Sequence, residues 1–199
     1  MQNILHKFIY QFVAFSLIFI SCSQTSDVNI PTVDAQEQIS ICNQIITKMN
    51  LNVEQYRDGS IIRHAQTDAE WYDAAIKGEG AWCYYNNNPQ HGQLYGKLYN
   101  WYAVNNTKGL APNGWKIPSE AEFDIVYDCS DFLEHFGSMT GGSRYGNGSF
   151  MNLGSIGTWW TSTEDPDGRV QAKGIMGRSI RINYTEMKER GFSVICIKQ

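Results

Sequence analysis

"GLAPNGWKIPSEAEFDIVYDCSDFLEHFG", residues 109–137, carries the clearest structural instructions in the chain. Pro118 stands before Ser119, and Glu122 follows three residues later. That is the spacing of a capping box, in which hydroxyl and carboxylate each take a backbone N–H that the first helical turn leaves unbonded. Phe123, Val126, Cys129, Leu133 and Phe136 then recur at three- and four-residue intervals, the period of one apolar helix face. Gly137 supplies a stop. The pattern predicts one helix from Glu120 to Gly137.

The same grammar reads outward in both directions. "TDAEWYDAAIKG" (67–78) repeats the box with Thr67 and Glu70 and closes on Gly78. "QLYGKLYNWYAV" (93–104) places Leu94, Leu98 and Trp101 on a helical stripe with Tyr95, Tyr99 and Tyr102 beside it. Upstream, "ISICNQII" (39–46) reads as a strand, Asp58-Gly59 as a turn, "AWCYY" (81–85) as a strand and "NNNPQHG" (86–92) as a turn. Downstream, "GSMTGGSRYGNGS" is a glycine-rich loop, followed by strands at "TWWTST", "VQAKGIM", "RSIRINY" and "GFSVICIK". There is no repeat and no internal linker. Helices early and strands late make one α+β domain over 39–199.

The first 21 residues fall outside that domain. A lysine-bearing "MQNILHK" leads into a 13-residue apolar run, Phe8 to Ile20. A membrane span needs about 20 apolar residues, so the run fits the h-region of an export signal. It ends in "FISC", which resembles the lipobox of bacterial lipoproteins, with Cys22 as the lipid attachment site; a plain secretory signal is the alternative. Residues 22–38 then form the anchor and a polar tether. The expected address is a bacterial membrane, the outer membrane, facing periplasm or cell surface. A formal net charge of −4 and the lack of a basic run argue against a nucleic-acid partner.

Four cysteines remain after Cys22: Cys42, Cys83, Cys129 and Cys196. In an exported chain they are disulfide candidates, with three possible connectivities that sequence leaves open. None is spaced for a zinc knuckle.

"NLNVEQYRDGS", "AWCYYNNNP", "LYGKLYNWYAVNN", "GLAPNGWKIPSEAEF", "GSFMNLGSIGTWWTSTE" and "GFSVICIK" occur in that order. Together they resemble the Fibrobacter succinogenes major paralogous domain, a family of exported and often lipid-anchored bacterial proteins. That family in turn is similar to formylglycine-generating-enzyme and sulfatase-modifying-factor domains, on "KIPSEAEF" and "GFSV". The resemblance implies a variant C-type-lectin fold: two main helices, a small twisted antiparallel sheet, long ordered loops and adjacent domain ends. Two departures stand out. "HFGSMTGGSRYG" passes directly where relatives carry a further loop. Ala111 stands where many members have a cysteine; in lectin-like folds that cysteine commonly pairs with one at the position of Cys196. The resemblance leaves Cys83 and Cys129 as candidate partners for Cys196.

The relatives with enzymatic activity use a close pair of reactive cysteines near the C-terminal end, and here only Cys196 stands there. His64, His91 and His135 are far apart in sequence without metal-ligand spacing. No cofactor and no catalytic residue are expected. "EDPDGR" sets Asp165 and Asp167 as a calcium candidate, but Met176 occupies the closing position of an EF-hand loop, and a turn is the preferred reading. Trp159 and Trp160 point to opposite faces of a strand; either both are buried or one is a stacking platform. Arg169, Lys173, Arg178, Arg181, Lys188 and Arg190 concentrate positive charge in the late strands, either a ligand face or edge protection. The expected contact face is Trp159 or Trp160 with Arg169, Arg178, Arg181 and Tyr184. The expected function is a non-enzymatic binding or adhesion module for a glycan, or for an acidic or other protein surface. The alternatives are an enzyme or accessory acting on envelope polymers, or a structural envelope protein.

Overall fold

A computed structural model of the chain describes residues 37–177 and 179–199. The apolar leader, Cys22, the tether to residue 36 and Arg178 lie outside the described residues. The elements run β1 (Gln38–Ile41), β2 (Gln44–Thr47), β3 (Arg63–His64), α1 (Asp68–Lys77), β4 (Ala81–Cys83) and α2 (Pro89–Tyr95). They continue with β5 (Leu98–Tyr99), α3 (Trp101–Val104), β6 (Trp115–Lys116), α4 (Glu120–Tyr127) and α5 (Ser130–Phe136). Last come β7 (Ser143–Arg144), β8 (Phe150–Met151), β9 (Ile156–Glu164), β10 (Val170–Met176), β11 (Ile180–Glu186) and β12 (Ile197–Lys198). The mixed α+β class follows directly.

Both capping boxes form. The Thr67 hydroxyl accepts from Glu70 N at 3.2 Å while the Glu70 carboxylate accepts from Thr67 N at 3.0 Å, and Gly78 ends α1 in the left-handed region. Ser119 and Glu122 do the same for α4, at 3.3 and 3.0 Å.

Three expected elements are broken instead. "ISICNQII" is a hairpin rather than one strand: Cys42 and Asn43 adopt φ of 45° and 64°, which reverses the chain between β1 and β2 in two residues. The expected helix over 93–104 stops at Gly96, whose φ of 71° and ψ of −156° only glycine adopts readily. A Cβ there would stand 2.8 Å from Leu51 O and 2.9 Å from Asn50, so the close approach of 50–51 needs the glycine. Leu94 is consequently exposed, whereas Leu98 and Trp101 reach the core from β5 and α3. The third break divides the expected 120–137 helix, because Cys129 turns extended and becomes the N-cap of α5. Arg181 takes the carbonyls released at this junction, donating to Tyr127 O at 2.6 Å and Cys129 O at 2.8 Å.

The longest strands form the sheet β11-β10-β9, all antiparallel. One face carries Trp159 and Ile175 into a cluster with Phe123, Val126, Phe132 and Phe136 of α4 and α5. The other carries Trp160, Val170 and Ala172 into a cluster with Trp101, Phe192 and Val194. The remaining sheets are β1-β2-β12-β6, β3-β4-β5 and β7-β8.

"GFSVICIK" is the seam between them. Residues 191–197 are buried throughout, and only Ile197–Lys198 is regular strand. Gly191 bridges Arg144, Phe192 bridges Tyr99, Ser193 bridges Trp159, and Ile197 pairs with both Ile46 and Lys116. One segment therefore touches all four sheets, and the two ends of the domain lie side by side.

Candidate functional site

The expected contact face does not assemble. Trp159 and Trp160 are both 0% exposed, because packed layers cover both faces of the sheet at that level. Their indole N–H groups are spent inside, on Asn50 Oδ1 at 2.7 Å and Tyr99 O at 2.8 Å. Neither offers a stacking platform. Tyr184 is half-buried against the Trp160 cluster, and burial raises its pKa.

The late-strand cations are largely committed too. Lys173 pairs with Glu120 and Asp124, Lys188 with Glu164, and Arg190 with Glu186. Arg181 is the junction clamp already described. Arg169 is exposed and donates to Thr185 O at 2.8 Å. Arg178 lies outside the described residues. Among the described residues, then, carboxylates or backbone carbonyls hold each of these cations.

Asp165 accepts from the backbone N of Asp167 at 3.0 Å and of Arg169 at 2.8 Å, so this segment is a hydrogen-bonded turn. Among the described residues, no three His, Cys, Asp or Glu side chains converge as a metal ion would need. Cys42 and Cys129 form a disulfide, while Cys83 and Cys196 are free buried thiols. The partner expected for Cys196 is therefore corrected; burial pushes both free thiols up to about 12.

The amide-rich stretch is also structural. Asn86 and Asn87 take positive φ, Asn88 caps α2, and His91 Nδ1 lies 2.8 Å from Tyr85 O. His64 stacks on Trp82 at 3.8 Å, and burial lowers its pKa. Beneath it, Lys97 sits over the Trp82 and Tyr84 rings and donates to Asn52 O and Oδ1. That lysine fastens the 50–54 segment.

What the molecule does expose is a cleft of about 600 Å³ between α1, the β7–β8 turn and the 187–190 loop. Trp71 and Ala74 bury one face of α1; Tyr72 and Ile76, on the opposite face, are 56% and 68% exposed. Met187, 51% exposed, faces them across the cleft with Tyr145. The Arg190 guanidinium lies 3.5 Å from the centre of the Tyr145 ring and is held by Glu186 at 3.2 Å. Glu189 brings a carboxylate and Asn147 an amide to the lining.

The walls are fixed from behind. Trp71 Nε1 donates to Glu189 O at 3.0 Å, locking loop to helix. Arg144 is fully buried between the Trp71 and Phe150 rings and donates to Gly148 O, Ala65 O and Asp68 Oδ1. A Cβ on Gly146 would meet Glu189 at 2.4 Å, so the turn can lie this close only without a side chain. The result is a preformed cleft with apolar walls and a few polar groups, the usual anatomy of a small-ligand site. Its one legible signal in the sequence was Tyr72 and Ile76, apolar at i and i+4 on the outward face of a well-capped helix. Tyr145, Met187 and Glu189 are gathered from distant loops and gave none, and Arg190 was legible only as one of the late-strand cations.

Residues 39–132 match the family described as the Fibrobacter succinogenes major domain. The match takes in β1 through the start of α5 and stops before the long-stranded sheet. No curated protein and no solved structure matches the chain.

Proposed function

We propose that this Fibrobacter succinogenes major domain is a non-enzymatic binding module that holds a glycan in the Tyr72–Tyr145–Met187 cleft. In the same reading it is lipid-anchored through Cys22 to a bacterial outer membrane. The cleft itself carries the proposal. An exposed tyrosine ring offers a flat apolar face to the C–H face of a sugar, while Glu189 and Asn147 can accept from and donate to its hydroxyls. An acidic surface is less well supported as ligand, since most of the late-strand cations already have partners. The variant C-type-lectin architecture belongs to the same proposal; paired domain ends and α4 packed on the β9–β10 face support it.

Two other readings can be weighed against the same geometry. An envelope-polymer enzyme would call for two carboxylates in the pocket, whereas Glu189 is the one acid lining this cleft. A structural protein without soluble ligand would have both tryptophans buried and no concave site. The buried tryptophans favour that reading and the cleft speaks against it.

A glycan array, followed by titration of the purified protein, tests the proposal against a Tyr72→Ala/Met187→Ala variant. Both side chains are half or more exposed, so their removal leaves the core intact. Saturable binding weakened at least about tenfold, equal to roughly 1.4 kcal/mol, is the expected result. Unchanged binding in the variant removes the site from this cleft. No binding by the folded protein favours the structural role.

A further inference from the structure

Lys173 lies in the middle of β10, on the face that α4 covers, and its side chain is 2% exposed. Its cross-strand partner in the register of β10 and β11 is Asn183. The amine Nζ is 3.2 Å from Asn183 Oδ1, 3.2 Å from Glu120 Oε1 and 2.6 Å from Asp124 Oδ1. The Tyr127 ring closes the other side, 5.8 Å from Nζ to its centre. The two carboxylates would be enough to satisfy a buried ammonium. The carboxamide adds something an ion pair does not need: an acyl donor held against a primary amine.

We propose that Lys173 and Asn183 become joined by an intramolecular amide bond, formed by the folded protein from its own side chains. Asp124 accepts a proton from the Lys173 ammonium, which frees the Nζ lone pair to attack Asn183 Cγ. As the Nζ–Cγ bond forms, the attacking nitrogen gives a second proton to Glu120, and Asp124 and Glu120 then pass these two protons to the departing nitrogen. The Nζ–Cγ bond forms and the Cγ–Nδ2 bond breaks. An ammonium and a carboxamide become a substituted amide and an ammonium ion, so atoms and charge balance without oxidant, metal or cofactor. The fixed register sets the exposed Asn183 carboxamide against the buried Lys173 amine, which replaces a bimolecular encounter by a unimolecular step. Glu120, 37% exposed, gives the released ammonium a path to solvent. The bond would pin β11, an outer strand of its sheet, to β10.

Peptide mapping of the purified full chain decides the matter. Trypsin cuts after Arg169, Arg178, Arg181 and Lys188, and an acylated Lys173 blocks the cut between. The expected product is VQAKGIMGR (170–178) branched to INYTEMK (182–188), lighter than the two separate peptides by one ammonia. Glu120→Gln should reduce the branched fraction at least tenfold while keeping a polar partner for Lys173. Asn183→Ala should abolish it and release 182–188 as a linear peptide. Linear VQAK and INYTEMK from the folded wild-type protein would overturn the proposal. So would an ammonia deficit that maps to Asn113-Gly114 or Asn147-Gly148, where cyclisation of asparagine onto the next amide loses the same mass. A branched peptide lighter by one water would overturn Asn183 as the acyl donor.

Discussion

Tyr127 shows how far a single hydroxyl can organise its surroundings. It reaches from the last turn of α4 into the long-stranded sheet, accepts from Ile182 N at 2.7 Å, and has one proton to share between Gly174 O and Ile182 O. Removing the oxygen leaves buried backbone groups of two strands without that partner. Tyr127→Phe should therefore cost about 1–3 kcal/mol, read as a lower midpoint in urea unfolding. Burial raises the Tyr127 hydroxyl from 10.0 to about 12. A pKa raised on folding means that the contribution is whole below pH 10 and is lost as pH climbs through about 12. The gap between wild type and variant should thus be constant at neutral pH and close in strong alkali. A gap that widened with pH would contradict this hydrogen-bonding role. Nothing in the spacing of 120–137 distinguished Tyr127 from an ordinary helix residue, since its partners lie some 50 positions away.

At the scale of elements, the sequence was most readable where structure is decided locally. Thr67 with Glu70 and Ser119 with Glu122 act within one turn, and both helices start where those pairs place them. The readings failed where a distant contact outweighs local pattern. Gly96 looks like a tolerated helix glycine until the 50–51 backbone is set against it. Cys129 fits a helical stripe, yet it bonds to Cys42 across 87 residues and heads a new helix. Its disulfide ties the β1–β2 turn to the α4–α5 junction. Closing a loop of that length restrains the unfolded chain, so Cys42→Ser/Cys129→Ser should lose about 2–4 kcal/mol of stability. Unfolding curves of wild type and double variant, each without reductant, give that difference directly. Among the described residues, the remaining cysteines, Cys83 and Cys196, are buried and unpaired.

For the molecule as a whole, the decisive feature is layering. Trp159 and Trp160 could not be assigned from sequence because alternation says only that they face apart; what covers each face depends on α4, α5 and the C-terminal segment. The cleft has the same origin, since Tyr72, Tyr145 and Met187 become neighbours only after α1 and the 187–190 loop are docked. The C-terminal segment also sets the stability of the whole. β12 lies inside the sheet β1-β2-β12-β6, not at its edge. A chain ending at Cys196 would leave β2 and β6 without their shared neighbour. It should fail to unfold cooperatively, with loss of the near-ultraviolet signal from the packed tryptophans. A truncated chain that kept the wild-type midpoint would show that the seam is dispensable.

That seam also sets a schedule. Synthesis delivers the chain from its N-terminus, and the segment that stitches four sheets together follows every other element described. Before it appears, the first hairpin, the small sheet beneath α1 and the long strands lack their common neighbour. Docking of residues 191–197 is then the step that joins the four sheets.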